Sequence, residues 1–557
     1  MEEDEVDMQF LSKSGDVEDI STLCDSDSSS ENESEDESLL PIHKYRRKIE
    51  ETVRNSRVTI LMAETGSGKS TQVAQYLHHM EPDSVLVCTQ PRKIAAVSLA
   101  SHVAKQMGTR VGGLVGYKVG SQSKVTKNTK IIFMTDSVLL KECVKDPNFT
   151  KYNCIILDEV HERSINTDLL LGLAKIGLKD NMRLKIVITS ATMNKNLFLN
   201  HFQDSDVTVQ TIDIPGRTFS VVLKWSPSNI DVSSDYLQTS MKKVEEILAC
   251  TPGGDILVFL ATPAETDKMA RKLSQKNPFV DSLQLHGRLQ LEEQKKIFEP
   301  GSRRRVIFST NCAETSVTVP GIKYVVDSGL AKEKRFDPIR NCSSLVVQKI
   351  SQSSAKQRAG RAGRTEDGVC WHLYSEEEFR ALPPTMVPEI KRVQLGLTVL
   401  NLIDLGIQRP EQFPFIETPG LENLDRAIEE LVKLGAVDDS TTLKLTELGS
   451  QMCKLPLDPR LSKFVLVSNE EGNGESALVL ACLCSMAGNV FFRIGSIVDV
   501  TLADQKKMNF CNEEGDFLTL LDVFHSWNSV PNNLKSKWCE ENYINGKSNK
   551  TPTASAA

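Results

Sequence analysis

Short apolar runs rich in β-branched residues recur at 57–62, 84–89, 130–134, 154–157 and 185–189, with helical patterns such as 93–107 between them. Strands alternating with helices predict a parallel α/β sheet. A second set follows, with strand-like runs at 255–260, 306–309 and 323–327 and helical stretches at 236–250 and 266–275. The pattern predicts two α/β lobes that divide near Ile214-Pro215-Gly216. Beyond about residue 384 the strands thin out. There, 395–405, 421–434, 459–467 and 475–487 predict amphipathic or buried helices. The longest uncharged run, 476–492, spans 17 residues and includes Gly488 and Asn489. It predicts a buried helix with a turn, not a membrane span.

Length and composition sharpen this picture. A chain of 557 residues is expected to form two or more domains, and 40% apolar with 25% charged residues is ordinary for a soluble protein. The net charge of −8 hides a split. Residues 1–38 hold fifteen acidic residues and one lysine, −14, which leaves +6 for the remainder. That tail is nearly all Ser, Asp, Glu and Asn between 25 and 38, so it is expected to be disordered. Its serines read either as phosphorylation sites or as part of a plain solvated tail. A mildly basic body is compatible with a polyanionic partner. The thirteen cysteines are scattered, without a Cys-x-x-Cys, which argues against zinc and disulfides and for a reducing compartment. No signal peptide is visible.

Two stretches carry chemistry. Ala63-Glu64-Thr65-Gly66-Ser67-Gly68-Lys69-Ser70-Thr71 follows an apolar strand and precedes a predicted helix at 71–79. Gly66 and Gly68 let backbone N–H groups approach phosphate oxygens at the positive end of the helix. Lys69 would reach the β- and γ-phosphates, and the Ser70 hydroxyl would sit on Mg²⁺. A Gly/Ser turn is the competing reading. The second stretch, Cys154-Ile155-Ile156-Leu157-Asp158-Glu159-Val160-His161, puts two carboxylates at the end of a fully apolar strand. Beside a phosphate loop, Asp158 can hold Mg²⁺ and Glu159 can activate water. A helix start with favourable acidic residues is the alternative.

Asp158-Glu159-Val160-His161-Glu162-Arg163 resembles the signature of the DEAH-box (DEAH/RHA) ATP-dependent RNA helicases, with Val160 where Ala is usual. Further family-like segments follow in order: Thr89-Gln90-Pro91-Arg92-Lys93, Thr135-Asp136-Ser137-Val138-Leu139-Leu140, Ser190-Ala191-Thr192, Ser309-Thr310-Asn311-Cys312-Ala313-Glu314-Thr315-Ser316 and Gln357-Arg358-Ala359-Gly360-Arg361-Ala362-Gly363-Arg364.

The resemblance implies two tandem RecA-like parallel-sheet lobes, at 39–214 and 215–384. A winged-helix-like region at 385–460 and a partial, ratchet-like helical bundle at 461–546 would follow, ending in an unstructured tail at 547–557. It implies ATP and Mg²⁺, with Lys69, Asp158, Glu159, His161, Gln357, Arg361 and Arg364 in the catalytic set. The nucleotide would be held by 63–71, its base between His102 and Phe298, for which burial in the core is the alternative. Arg92, Thr135, Asp136, Thr310 and Asn311 would grip RNA, and Ser190 and Thr192 would couple the ATP state to lobe movement. The expected partner is single-stranded RNA, or structured RNA with a single-stranded end, together with protein activators. The chain is expected to act as a monomer away from membranes, in the nucleus or cytoplasm, with the family favouring the nucleus. The expected activity is RNA-stimulated ATP hydrolysis with 3′→5′ unwinding. No OB-fold is expected after the bundle, so a truncated, non-unwinding form that binds RNA or partners is the alternative.

Overall fold

The structure, a computed structural model, describes residues 40–545 apart from 65, 121, 192–194, 204–206, 217–218, 228–235, 288, 290–296, 298–300, 302, 315–318, 338–339, 341, 365, 486–489 and 492–496. Both predicted tails lie outside the described residues, as do Thr65, Thr192 and Phe298.

The first lobe is built on eight strands: β1 (Val58–Ala63), β2 (Leu86–Gln90), β3 (Val115–Val119), β4 (Gln122–Lys124), β5 (Ile131–Thr135), β6 (Cys154–Leu157), β7 (Lys185–Ser190) and β8 (Val209–Ile214). Their order is β4-β3-β5-β2-β6-β7-β1-β8. Every pairing is parallel except that of β3 with β4. In β1, Val58, Ile60 and Met62 enter one core while Leu61 and Ala63 enter the other. A strand covered on both faces needs apolar residues at every position, which is why it reads as an unbroken run.

The second lobe holds β9 (Val221–Trp225), β10 (Asp255–Phe259), β11 (Asp281–Leu285), β12 (Arg305–Ser309), β13 (Ile322–Asp327) and β16 (Gly368–His372). They are ordered β11-β12-β10-β13-β16-β9 and are all parallel. β14 (Leu330–Asp337) and β15 (Cys342–Lys349) form a separate antiparallel ribbon.

A helical region follows, including Gly396–Asp404, Leu421–Lys433, Glu447–Lys454, Pro459–Glu470 and Gly474–Ser485, with a short Val437–Leu445 bridge. Val399, Leu402, Phe413, Leu424 and Leu431 share one hydrophobic cluster with Leu157, Leu169 and Ile188 of the first lobe. The approach is close. A Cβ placed on Gly172 would lie 2.4 Å from the Phe413 ring.

The two-lobe α/β architecture with a helical C-terminal region is the expected one. Beyond the expected strands, β3, β4, β8, β9, β11, β14, β15 and β16 are also present. Most of them are edge or ribbon strands. β9, for example, is largely exposed, so it lacks the continuous apolar run that marks the central strands. Among the described residues all cysteines are free thiols, and no helix is long and apolar enough to cross a membrane.

Candidate functional site

Because β7 lies between β6 and β1, the loops leaving the C-terminal ends of these three strands share one edge of the sheet. In open parallel sheets this is the edge where ligands bind. The loop after β1 leads into α1 (Lys69–Met80), which Gly68 precedes with φ 93°. Gly66 has φ 85°. Both angles lie in the left-handed region that glycine enters freely. A Cβ on Gly66 would meet nothing within 4 Å, so that side of the loop is open, whereas one on Gly68 would lie 3.0 Å from Ile42. Ser67 Oγ is buried with no hydrogen-bond partner among the described residues. Glu64 is exposed and Ser70 half-buried; the Thr71 hydroxyl donates back to the Gly68 carbonyl at 3.1 Å. An open loop at a helix N-terminus, with an orphaned hydroxyl beside it, fits a phosphate group.

Lys69 Nζ donates to Glu159 Oε1 at 2.9 Å, and both side chains are buried. Burial acts to raise the Glu159 carboxyl, but Lys69, His161 and Arg361 outweigh it and hold the group at about 2. Asp158 has a different environment. Gln90 Nε2 donates to its Oδ2 at 2.6 Å, and the Thr189 hydroxyl and the Glu159 N–H both donate to Oδ1. Among the described residues no basic side chain pairs with it, so its charge is oriented by neutral donors and left uncompensated. That suits a divalent cation. Among the described residues no group of three or more His, Cys, Asp or Glu is arranged to hold a metal ion. A Mg²⁺ ion would therefore depend on Ser70, Asp158 and nucleotide oxygens, as this ion usually does.

His161 bridges two loops. The Ala191 N–H donates to its Nδ1 at 3.3 Å, and its Nε2 lies 3.4 Å from Glu159 Oε2. Ala191 follows β7, so the backbone at Ala191 touches the acidic loop directly. Ser190 is fully buried.

The second lobe contributes arginines. Arg361 is buried and contacts the Glu314 carbonyl. Burial and the neighbouring Arg364 push its guanidinium well down, while Glu159 and Glu314 pull it back. Burial brings Arg364 to about 10, opposed by Glu159. A cavity of about 370 Å³ between the lobes is lined by His161 and Glu162 of the first and by Glu314 and Gln357 of the second, so the acidic loop and the arginine segment face one cleft. Gln357 Nε2 is buried without a partner among the described residues.

The residues expected on RNA divide into two groups. Arg92 donates to the Cys312 carbonyl of the other lobe at 2.7 Å and lies 3.6 Å from Glu162. Asn311 is exposed. Thr135 and Thr310 are largely buried, and Asp136 is only 2% exposed, its carboxylate accepting from the Thr167 hydroxyl at 2.6 Å. The Asp136 side chain therefore acts inside the lobe. His102 is exposed on α2 (Lys93–Gln106) rather than in the core.

Other polar groups support the site without having been singled out. Arg358 is fully buried and donates to Asp327 at 2.8 Å and Glu314 at 3.1 Å. Asp327 also accepts from Tyr374 at 2.8 Å and contacts His372 at 3.2 Å. Arg163 binds Asp168 through two nitrogens, at 2.7 and 3.0 Å. Arg358, Glu314 and Arg163 stand inside the quoted motifs; the partners of Arg358 are distant in sequence, and no local spacing marks them.

Comparison with known proteins agrees with this geometry. The DEAD/DEAH box helicase family matches residues 44–198, the helicase conserved C-terminal domain 239–366, and the winged-helix helicase-associated domain (HA2) 427–457. Two Arabidopsis thaliana proteins, the chloroplastic ATP-dependent RNA helicases DEAH12 and DEAH11, are each 40% identical over 91% of this chain and 29% of their own length. The pre-mRNA-splicing factor ATP-dependent RNA helicase prp22 of Schizosaccharomyces pombe is 38% identical over 91% of this chain and 43% of its own. The chain thus spans less than half the length of these relatives.

Proposed function

Because the chain belongs to the DEAH-box helicase family, we propose that it couples ATP hydrolysis to 3′→5′ translocation on, or remodelling of, RNA. The observation that carries the reading is the buried Lys69–Glu159 pair, with Arg361 and Arg364 of the other lobe acting on the same carboxylate. Incoming phosphates would draw Lys69 away from Glu159. The freed carboxylate would then accept the proton of the attacking water, and His161 would hold it in place. Asp158 and Ser70 would hold Mg²⁺, which supplies charge neutralisation on the phosphates. Arg361 and Arg364 would stabilise charge developing on the γ-phosphoryl group. The base would stack near His102, and Phe298 is proposed opposite it.

Arg92 and Asn311 would hold the RNA backbone, with little sequence preference. Closing the cleft on ATP and reopening it after hydrolysis would move one lobe past the other along the strand, with Ser190 and Thr192 as coupling residues. A nuclear setting is favoured by the kinship with a pre-mRNA-splicing factor of Schizosaccharomyces pombe, while the Arabidopsis relatives are chloroplastic helicases by name. The decisive experiment is ATP turnover by this chain with and without single-stranded RNA. Turnover that rises with RNA supports the reading. Turnover indifferent to RNA overturns its RNA part, and no turnover overturns the whole.

A further inference from the structure

The turn carrying the catalytic carboxylate is strained at both ends. Residues Val160–Glu162 form a single 3₁₀ turn, flanked by Glu159 at φ 55° and Arg163 at φ 49°. Neither is glycine. Left-handed backbone is costly at such residues and persists only where surroundings enforce it. At the Glu159 end the enforcing contacts are Lys69 and Asp158. At the Arg163 end they come largely from the C-terminal region. Arg163 Nη1 donates to Glu417 Oε2 at 2.6 Å, and its carbonyl accepts from the Glu389 N–H at 3.1 Å. The Glu389 carboxylate in turn accepts from the Ile165 N–H at 3.1 Å. Arg163 also clamps Asp168, in the first turns of α3 (Ile165–Asp180), the helix that packs on Phe413.

We propose that Arg163 is a positioning residue through which the segment bearing Glu389 and Glu417 sets the placement of Glu159. On this reading, which rests on the proposed ATPase, the C-terminal region regulates hydrolysis without touching the nucleotide. Releasing Glu417 lets the Arg163 end of the turn relax toward ordinary backbone, and the carboxylate four residues earlier moves with it. Misplacing a catalytic group by about 1 Å costs on the order of 10²-fold, so partial relaxation costs about tenfold.

The test uses the full chain. Glu417→Gln should lower kcat about tenfold while the KM for ATP and the Kd of a fluorescent ATP analogue stay within about twofold. Arg163→Lys, which keeps the charge but loses the forked geometry, should do the same. Combining the two should add less than about twofold to either alone, because they act through one contact. Lys391→Gln removes only the exposed partner of Glu417, at 2.8 Å, and should leave kcat unchanged. Additive losses, a Glu417→Gln enzyme with wild-type kcat, or an equal loss in Lys391→Gln would each overturn the proposal. So would a fall in Tm with unaltered kcat per folded molecule. A wild-type chain that hydrolyses no ATP would instead overturn the proposed function.

Discussion

The Lys69 ammonium stands 2.9 Å from the Glu159 carboxylate, across ninety residues of sequence, with both side chains buried in the first lobe. The pair defines what each partner does when phosphate is present or absent. Glu159→Gln should reduce ATP turnover by about 10²–10⁴-fold, the usual worth of a general base, while nucleotide affinity changes little. Single-turnover hydrolysis beside equilibrium nucleotide binding checks this. Persisting turnover would remove Glu159 from the role of base.

The same carboxyl predicts a pH signature. Its folded value of about 2 lies below its ordinary 4.5. A depressed carboxyl contributes stability that is present above about 4.5 and is lost as pH falls toward 2. Between those values the wild-type melting temperature should fall more steeply with acid than that of Glu159→Gln. Parallel curves would show that Glu159 is not depressed.

Arg361→Ala should lower kcat by about 10³–10⁵-fold if the guanidinium acts on the transferring phosphoryl group. Because Arg361 comes from the second lobe, Lys69→Ala should act mainly on nucleotide binding. Measuring kcat and KM separately for the two variants distinguishes their roles.

Asp327 has no proposed chemistry, yet it anchors Arg358, Tyr374 and His372. Breaking one side of a buried ion pair costs about 3–5 kcal/mol. Asp327→Asn should therefore lower the melting temperature of the chain well before any specific kinetic defect shows. Calorimetry checks it, and an unchanged transition would mean that the network relaxes cheaply.

Gly172 lies where α3 meets Phe413, with no room for a methyl group. Gly172→Ala should destabilise by about 1–3 kcal/mol through overpacking. Denaturant melts with an unchanged slope would register this as loss of stability rather than a change of fold.

How legible these features were depended on their geometry. β1, β6 and β7 are covered on both faces, so each reads as an apolar run. β9 and the β14–β15 ribbon are exposed, and their mixed residues carry no such mark. Motif spacing singles out Lys69 and Glu159 because a phosphate loop is local. It placed Asp136 toward RNA, whereas the side chain turns inward to Thr167, since spacing says nothing about which way a strand-end residue points. The C-terminal partner of Arg163 could not be read at all. Glu417 lies 254 residues away, and only the fold brings them together.

The shared cluster of Leu169 and Ile188 with Val399, Phe413 and Leu431 has a practical corollary. A fragment cut after the first sheet would leave a greasy scar where those side chains had been sheltered. Such a piece would tend to clump in the test tube, and its poor behaviour would say nothing about its chemistry. Dissection for biophysics should keep residues 390–452 attached to the first lobe.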